Sequence, residues 1–128
     1  MEIIEILQQD YQRFPDNPSY EIYAPDVYFK DPMTEFRGCD RFREMVSLME
    51  RWFLDIKMDL HDIKQEGQTI HTQWTLHWNT PLPWKPRISI PGSSQLEINS
   101  DGLIISHIDT WDISKFAVLK QHFFPVRQ

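Results

Sequence analysis

The sequence predicts an α+β fold with one long helix and an antiparallel sheet, and three features of the residue pattern point there. Between Asp40 and Trp52 the apolar side chains Phe42, Met45, Val46, Met49 and Trp52 recur at the helical period. Immediately afterwards the period drops to two, with Leu54, Ile56, Met58 and Leu60 alternating with Asp55, Lys57, Asp59 and His61. Further alternating stretches follow one another with turn signals between them, and helical patterns stand before and after. Helices segregated from consecutive strands define the α+β class, with one sheet face covered by the helices. A sheet bent around a long helix leaves a conical hollow, the kind of concave apolar site where small ligands bind.

The elements are predicted in order as follows. Residues 2–14 place Ile3, Leu7, Tyr11 and Phe14 at helical spacing until Pro15 stops the pattern. A short helical turn carries Tyr20 and Tyr23, and a strand runs from Val27 to Asp31, closed by Asp31-Pro32. Glu35 to Arg37 pairs back as a short ribbon, and Asp40 is the expected N-cap of the long helix. After the Gln65-Glu66-Gly67-Gln68 turn, Ile70, Trp74, Leu76 and Trp78 share one strand face and His71, Gln73, Thr75 and His77 the other. Three prolines around Trp84 make residues 80–87 a loop or an edge. Ile88, Ile90, Leu96 and Ile98 resume the alternation, with a bulge expected at Pro91-Gly92. Asn99-Ser100-Asp101-Gly102 is a hairpin signal, and a last strand runs from Leu103 to Trp111. Ser114 is placed to cap a final helix with Phe116, Leu119 and Phe123 on its apolar side.

No composition break or repeat divides this order, so residues 1–128 are read as one domain. At that length such a domain removes roughly two-thirds of its unfolded surface from water, enough for a core without staples. The net charge of −6 argues against nucleic acid and against an anionic membrane surface as partners. A lone cysteine, Cys39, excludes an internal disulfide. The opening Met-Glu-Ile-Ile-Glu lacks the pattern of a signal peptide, and no apolar run is long enough to cross a bilayer, so a cytoplasmic protein is expected. Five Trp, eight Phe and four Tyr give more planar surface than a small core needs, and some of it is expected to line a cavity.

Several strings carry a resemblance over nearly the whole chain. Tyr23-Ala24-Pro25-Asp26-Val27-Tyr28-Phe29-Lys30-Asp31-Pro32, then Phe36-Arg37-Gly38, and Asp101-Gly102-Leu103-Ile104 at the last strand are similar to the nuclear transport factor 2-like superfamily. That superfamily has a cystatin-like cone fold and includes ketosteroid isomerases, SnoaL-type polyketide cyclases and scytalone dehydratases. Leu82-Pro83-Trp84-Lys85-Pro86-Arg87 and His107-Ile108-Asp109-Thr110-Trp111-Asp112 resemble an uncharacterised family of cyanobacteria and plant plastids. The resemblance to ketosteroid isomerases implies Asp31 as general base. Their oxyanion hole also needs a Tyr on the first helix and a protonated Asp before the final hairpin. Tyr11 and Ser94 stand near those places here, so steroid isomerisation itself is not implied.

On the last strand His107, Asp109 and Trp111 are two apart and are expected on one face together with Ile105. Asp31, His107 and Asp109 are therefore the candidate catalytic residues, dividing acid and base duties in an apolar pocket. The competing structural reading is that His107 merely satisfies a buried carboxylate and that Asp31 starts a turn by accepting backbone amides. Tyr28, Trp52, Trp74, Trp78 and Trp111 are the candidate ligand-contacting aromatics, with core packing as the alternative. His71 and His77 lie about 20 Å apart along a strand and cannot share a metal, and no third ligand joins His61 with Asp59 or His107 with Asp109, so no metal and no cofactor is expected. Cys39 is read as a passive small residue, and the Trp84 loop as a lid, a contact surface or a plug for the open end of the cone.

These readings lead to a protein that binds a small apolar molecule, either as an isomerase, cyclase or dehydratase working by proton transfer or as a non-catalytic carrier or sensor. A third reading is a homodimeric interaction module using the face of His71, Gln73, Thr75 and His77.

Overall fold

The computed structural model describes residues 2–124. Helix α1 (Ile3–Arg13) has Ile3, Leu7 and Tyr11 on one face and turns Leu7 into the core. Asp10 folds the following chain back onto the helix. Its carboxylate accepts from the Ser19 backbone N–H at 3.0 Å, the Ser19 hydroxyl at 2.8 Å and the Arg13 guanidinium at 2.7 Å. A single 3-10 turn (Tyr20–Ile22) leads into β1 (Tyr23–Lys30), and β2 (Glu35–Arg37) returns beside it. Helix α2 (Cys39–Trp52) follows at once. Its N-cap is Gly38 with φ 115°, a conformation that glycine reaches without strain. Asp40, expected as the cap, instead lies in the first helical turn, at the positive end of the helix dipole. Phe42 and Val46 face the core.

Four long strands come next: β3 (Leu54–Glu66), β4 (Thr69–Asn79), β5 (Arg87–Ile98) and β6 (Ile104–Trp111). Together they form one six-stranded sheet in the order β2-β1-β6-β5-β4-β3. Every pairing is antiparallel except β1 with β6, which is parallel. Strand β1 begins at Tyr23 rather than at Val27, because Tyr23 already pairs with Ile104 and Pro25 falls in the irregular stretch before the next pair, Tyr28 with Ser106.

The curvature has a local cause. β3 carries one residue more than β4 between Leu54 and Lys57, where Asp55 adopts φ 48°, and one more between Leu60 and Asp62. β6 carries one more than β5 between Ile104 and Ser106. Each extra residue bends its strand and shifts the inward phase by one. After the second shift Ile63, and not Asp62, packs on the core. After the shift in β6, Ile104 and His107 both point inward while Ile105 is 40% exposed, so Ile105 does not share a face with His107 as the plain alternation predicts.

No bulge occurs at Pro91-Gly92. The β4–β5 register runs unbroken from Thr69↔Glu97 to Asn79↔Arg87, and the inner face of β5 reads Ile88, Ile90, Gly92, Ser94, Leu96. Pro91 lies where β6 ends: its carbonyl accepts from the Asp112 N–H at 2.8 Å, so the missing N–H costs the ladder one bond at its last rung. Gly92 has a steric reason. A Cβ there would lie 2.6 Å from the Thr110 carbonyl oxygen and 2.7 Å from Cη2 of Trp74, whose indole lies over the bare backbone.

Helix α3 (Lys115–Gln121) is capped by Ser114, whose hydroxyl accepts from the Ala117 N–H at 3.0 Å. Its buried residues are Val118 and Gln121, whereas Phe116, Leu119 and Phe123 are 68%, 56% and 59% exposed. The expected apolar face therefore points outward. The Gln121 amide sets this rotation: it accepts from the Ser89 N–H at 2.7 Å and donates to the Ser89 carbonyl at 2.9 Å, standing in for a strand beyond the end of β6. Among the described residues no helix is long and apolar enough to cross a membrane.

Gly92→Ala is expected to displace the Trp74 indole and lower stability by about 1–3 kcal/mol, a typical overpacking cost. Urea denaturation measures it. An unchanged midpoint would show that the ring moves aside freely.

Candidate functional site

Two apolar clusters hold the interior. Leu7, Val27, Phe42, Val46, Ile70 and Leu96 belong to one, and Trp74, Trp78, Ile88, Ile90 and Val118 to the other. A cavity of about 800 Å³ lies within this interior. Aromatic rings dominate its wall, among them Tyr11, Phe29, Phe42, Trp74, Trp78 and Trp111, together with Met33, Met45, Met49 and Met58. Unbranched thioethers let such a wall adapt to irregular apolar shapes.

Polar groups meet in one region of that wall. His107 is 9% exposed and is surrounded by the rings of Phe29, Phe42 and Tyr23, with centroids 5.0, 6.1 and 6.3 Å away. Its Nε2 lies 2.7 Å from Oδ1 of Asp109, and its Nδ1 is buried without a partner. The tautomer that fits these partners has the hydrogen on Nε2, donating to the carboxylate, with Nδ1 a bare acceptor among the rings. The same Oδ1 accepts from the Ser94 hydroxyl at 2.5 Å, and Ser94 Oγ accepts from Trp74 Nε1–H at 2.8 Å. A chain of donors from Trp74 through Ser94, joined by His107, thus fixes the Asp109 carboxylate. Tyr11 stands beside it, 2.9 Å from the Thr72 hydroxyl. Burial and the charge of Asp109 push the Tyr11 phenol up to about 12, so it stays a neutral donor.

Asp31 reaches the same region through the parallel register. Phe29 pairs with His107 and Lys30 with Ile108, so Asp31, the residue that follows β1, leaves the ladder near Asp109, close enough for the two charges to interact. Asp31 Oδ1 accepts from the Met33 and Thr34 backbone N–H groups, both at 2.7 Å, so it organises the β1–β2 turn as the structural reading anticipated. Burial nevertheless raises its carboxyl above the ordinary value; the two amides offset this in part, Asp109 adds to the rise, and His107 opposes it. The structure therefore brings Asp31, His107 and Asp109 to one cavity wall, with Trp74, Trp78 and Trp111 on the same wall.

Two of the candidate aromatics are elsewhere. Tyr28 has the opposite strand parity to Phe29 and points outward, where its hydroxyl donates to Glu35 and Arg37 stacks 5.2 Å above its ring. Trp52 is the last residue of α2, 57% exposed, and does not border the cavity. Ser94 and Thr72, both buried, are the site residues that the sequence reading did not assign a role. Their signal was present: each is a polar residue in the inward phase of an otherwise apolar strand face, where it needs a partner.

The remaining candidates settle into structural contacts. On the outer face of the sheet His77 joins Asp59 at 3.0 Å and Ser89 at 2.7 Å, and His61 meets Thr75 at 2.7 Å. Burial pushes the Cys39 thiol up, which disfavours the reactive thiolate. Trp84 donates from Nε1 to the His122 carbonyl at 2.6 Å and packs on Phe123, yet remains 54% exposed. Among the described residues no three His, Cys, Asp or Glu side chains converge as metal ligands.

Helix, curved sheet and open cavity share the fold of nuclear transport factor 2-like and SnoaL-like proteins. Residues 1–107 match the family described as "Uncharacterized conserved protein (DUF2358)", and the chain belongs to that family. A putative SnoaL-like polyketide cyclase from Jannaschia sp. CCS1 superposes with a TM-score of 0.77 at 13% identity, covering 96% of this chain and 92% of that one. A hypothetical protein with a ketosteroid isomerase-like fold from Catenulispora acidiphila DSM 44928, in complex with trimethylamine, gives 0.75 at 15% identity, covering 94% of each chain. An epoxide hydrolase of M. tuberculosis gives 0.71 at 16% identity over 92% of this chain and 86% of its own. No curated protein matches the chain. At these identities the likeness establishes the fold.

Because burial raises the Asp31 carboxyl above its unfolded value of 3.8, the folded chain favours its protonated form. The stability this contributes is complete below the unfolded value and is lost as pH rises through the raised one. Asp31→Asn keeps an acceptor for Met33 and Thr34 without the charge. It is expected to be at least as stable as the parent at neutral pH, with any advantage gone below about pH 4. Asp31→Ala loses both bonds and is expected to cost about 1–2 kcal/mol. Chemical denaturation across pH checks both; an Asn variant weaker than the parent at neutral pH would mean that the charge itself stabilises the fold.

Proposed function

We propose that this chain binds a mostly apolar small molecule in its aromatic cavity and moves a proton on it without a cofactor. One observation carries the reading: a cavity of about 800 Å³, within the range of ligand sites, whose wall is mostly apolar and carries Asp31, His107 and Asp109 together. Asp31 is the base. Oδ1 holds the turn, which leaves Oδ2 for the ligand, and the raised carboxyl makes it a stronger base than an ordinary aspartate. Asp109 is held in place by Ser94 and His107. His107 is an orienting residue, since Nε2 is engaged and Nδ1 is enclosed by rings. Abstraction of a proton next to a carbonyl and its return at another carbon is an isomerisation; loss of hydroxide after abstraction is a dehydration. The fold is shared with a putative polyketide cyclase and an epoxide hydrolase, which supports a reaction of this general kind by analogy.

A carrier of the same ligand is the second reading, favoured by the pairing of Oδ1 on both aspartates with protein donors.

Native mass spectrometry of the purified chain is expected to show a retained apolar molecule released on unfolding. In D₂O the bound molecule is expected to gain deuterium at an acidic carbon, at a rate that Asp31→Asn lowers at least about 100-fold while binding persists. Binding without exchange would leave the carrier; no binding of any small apolar molecule would overturn the proposal.

A further inference from the structure

Of the ten exposed large apolar side chains among the described residues, Leu48, Trp52, Leu54 and Ile105 lie elsewhere, and the other six gather around α3. Phe116, Leu119, Phe123 and Phe124 are between 56% and 69% exposed, and all lie on α3 or in the turn that ends it. Positions 116, 119 and 123 follow the helical repeat, so their side chains make one stripe. Trp84, 54% exposed, extends it, with its ring centroid 5.9 Å from that of Phe123. At the other end the stripe meets the cavity, since Phe116 and Leu119 border the opening together with Met33, itself 68% exposed. Single exposed hydrophobes need no explanation, but a contiguous patch of this kind marks an interaction surface.

Charge selects the partner. The chain carries a net charge of −6, yet the charged residues from Asp112 to Phe124 are Asp112, Lys115 and Lys120, and Lys85 adjoins Trp84. All three lysines are exposed. An aromatic and aliphatic stripe flanked by lysines, with a tryptophan at its margin, has the chemistry of an interfacial anchor: the rings enter the boundary between headgroups and acyl chains, and the ammonium groups stay among the phosphates. A second copy of this chain docked stripe to stripe would offer the same apolar side chains, but it would set lysines against lysines and one predominantly acidic body against another.

We propose that this face docks on an anionic lipid bilayer, with the cavity mouth turned toward it, so that an apolar ligand passes between membrane and cavity without crossing water. The net negative charge of the rest of the chain holds it away from the membrane and sets this orientation. The docking stands on exposure and charge, and does not require the cavity to be catalytic.

Co-sedimentation of the full chain with vesicles tests it, using phosphatidylcholine alone and phosphatidylcholine mixed with phosphatidylglycerol. Binding is expected to the mixed vesicles at least about tenfold more tightly than to the neutral ones, and to weaken as salt shortens the electrostatic range. K115Q/K120Q is expected to weaken it by about fivefold per lysine removed. F116S/L119S/F123S is expected to abolish it while leaving the circular dichroism and melting of the chain intact, because those side chains already face solvent. No binding to either vesicle, or binding that survives both variants, overturns the proposal. So does a concentration-dependent dimer in analytical ultracentrifugation that the serine variant dissociates, since a second copy would then cover the stripe. Failure here leaves the retained-ligand measurement untouched.

Discussion

One extra residue in β6 governs the interior. Ile98 pairs with Ile104 and Glu97 with Ser106, so Ile105 has no partner on β5 and is turned out of the ladder. Without it, Ile104 and His107 would lie on opposite faces, and the last strand could bury one or the other. With it, Ile104 completes the apolar cluster under α1 and α2 while His107 and Asp109 enter the cavity wall. Two further extra residues in β3 bend the opposite side of the sheet, and the curvature of both sides keeps the space beside α2 from collapsing.

Asp31 and Asp109 are brought together by a parallel pairing between strands far apart in the chain. Such a neighbourhood is costly for two ionised carboxylates in an apolar wall, and the surroundings answer it unequally. Asp109 receives the Ser94 hydroxyl and the His107 N–H on one oxygen, and Ser94 is itself oriented by Trp74. Asp31 receives two backbone amides, yet burial still raises it. Asp109 is thereby fixed in position, while burial raises the Asp31 carboxyl, which suits Asp31 to take a proton.

The C-terminal helix shows how a single polar contact can overrule an apolar pattern. Phe116, Leu119 and Phe123 make the stripe that binary patterning assigns to the core. The open edge of β5 beyond Trp111 leaves the Ser89 N–H and carbonyl without a strand, and unpaired backbone groups in a part-buried setting are expensive. Gln121 satisfies both, which turns Val118 inward and the aromatic stripe out. Hydrophobic surface is thereby left next to the cavity mouth rather than inside it.

The periodicities of this chain were enough to determine its class and most of its elements: α2 from the spacing of Phe42, Val46 and Met49, the strands from their alternation, the hairpins from Gly67 and Asn99 to Gly102. Strand parity, a local property, also placed His107 and Asp109 as candidates, whereas Asp31 came from the resemblance of Asp31-Pro32 to ketosteroid isomerases. Tyr28 and Trp52 were misassigned for the converse reason: an aromatic side chain declares its size in the sequence, whereas its direction depends on which neighbour is already filling the interior. Only the tertiary structure decided the register that sets Asp31 beside Asp109, the Ser94 and Trp74 donors behind them, and the rotation of α3. Each depends on backbone hydrogen bonds between distant segments, and one residue of slip in any strand would exchange the inner face for the outer.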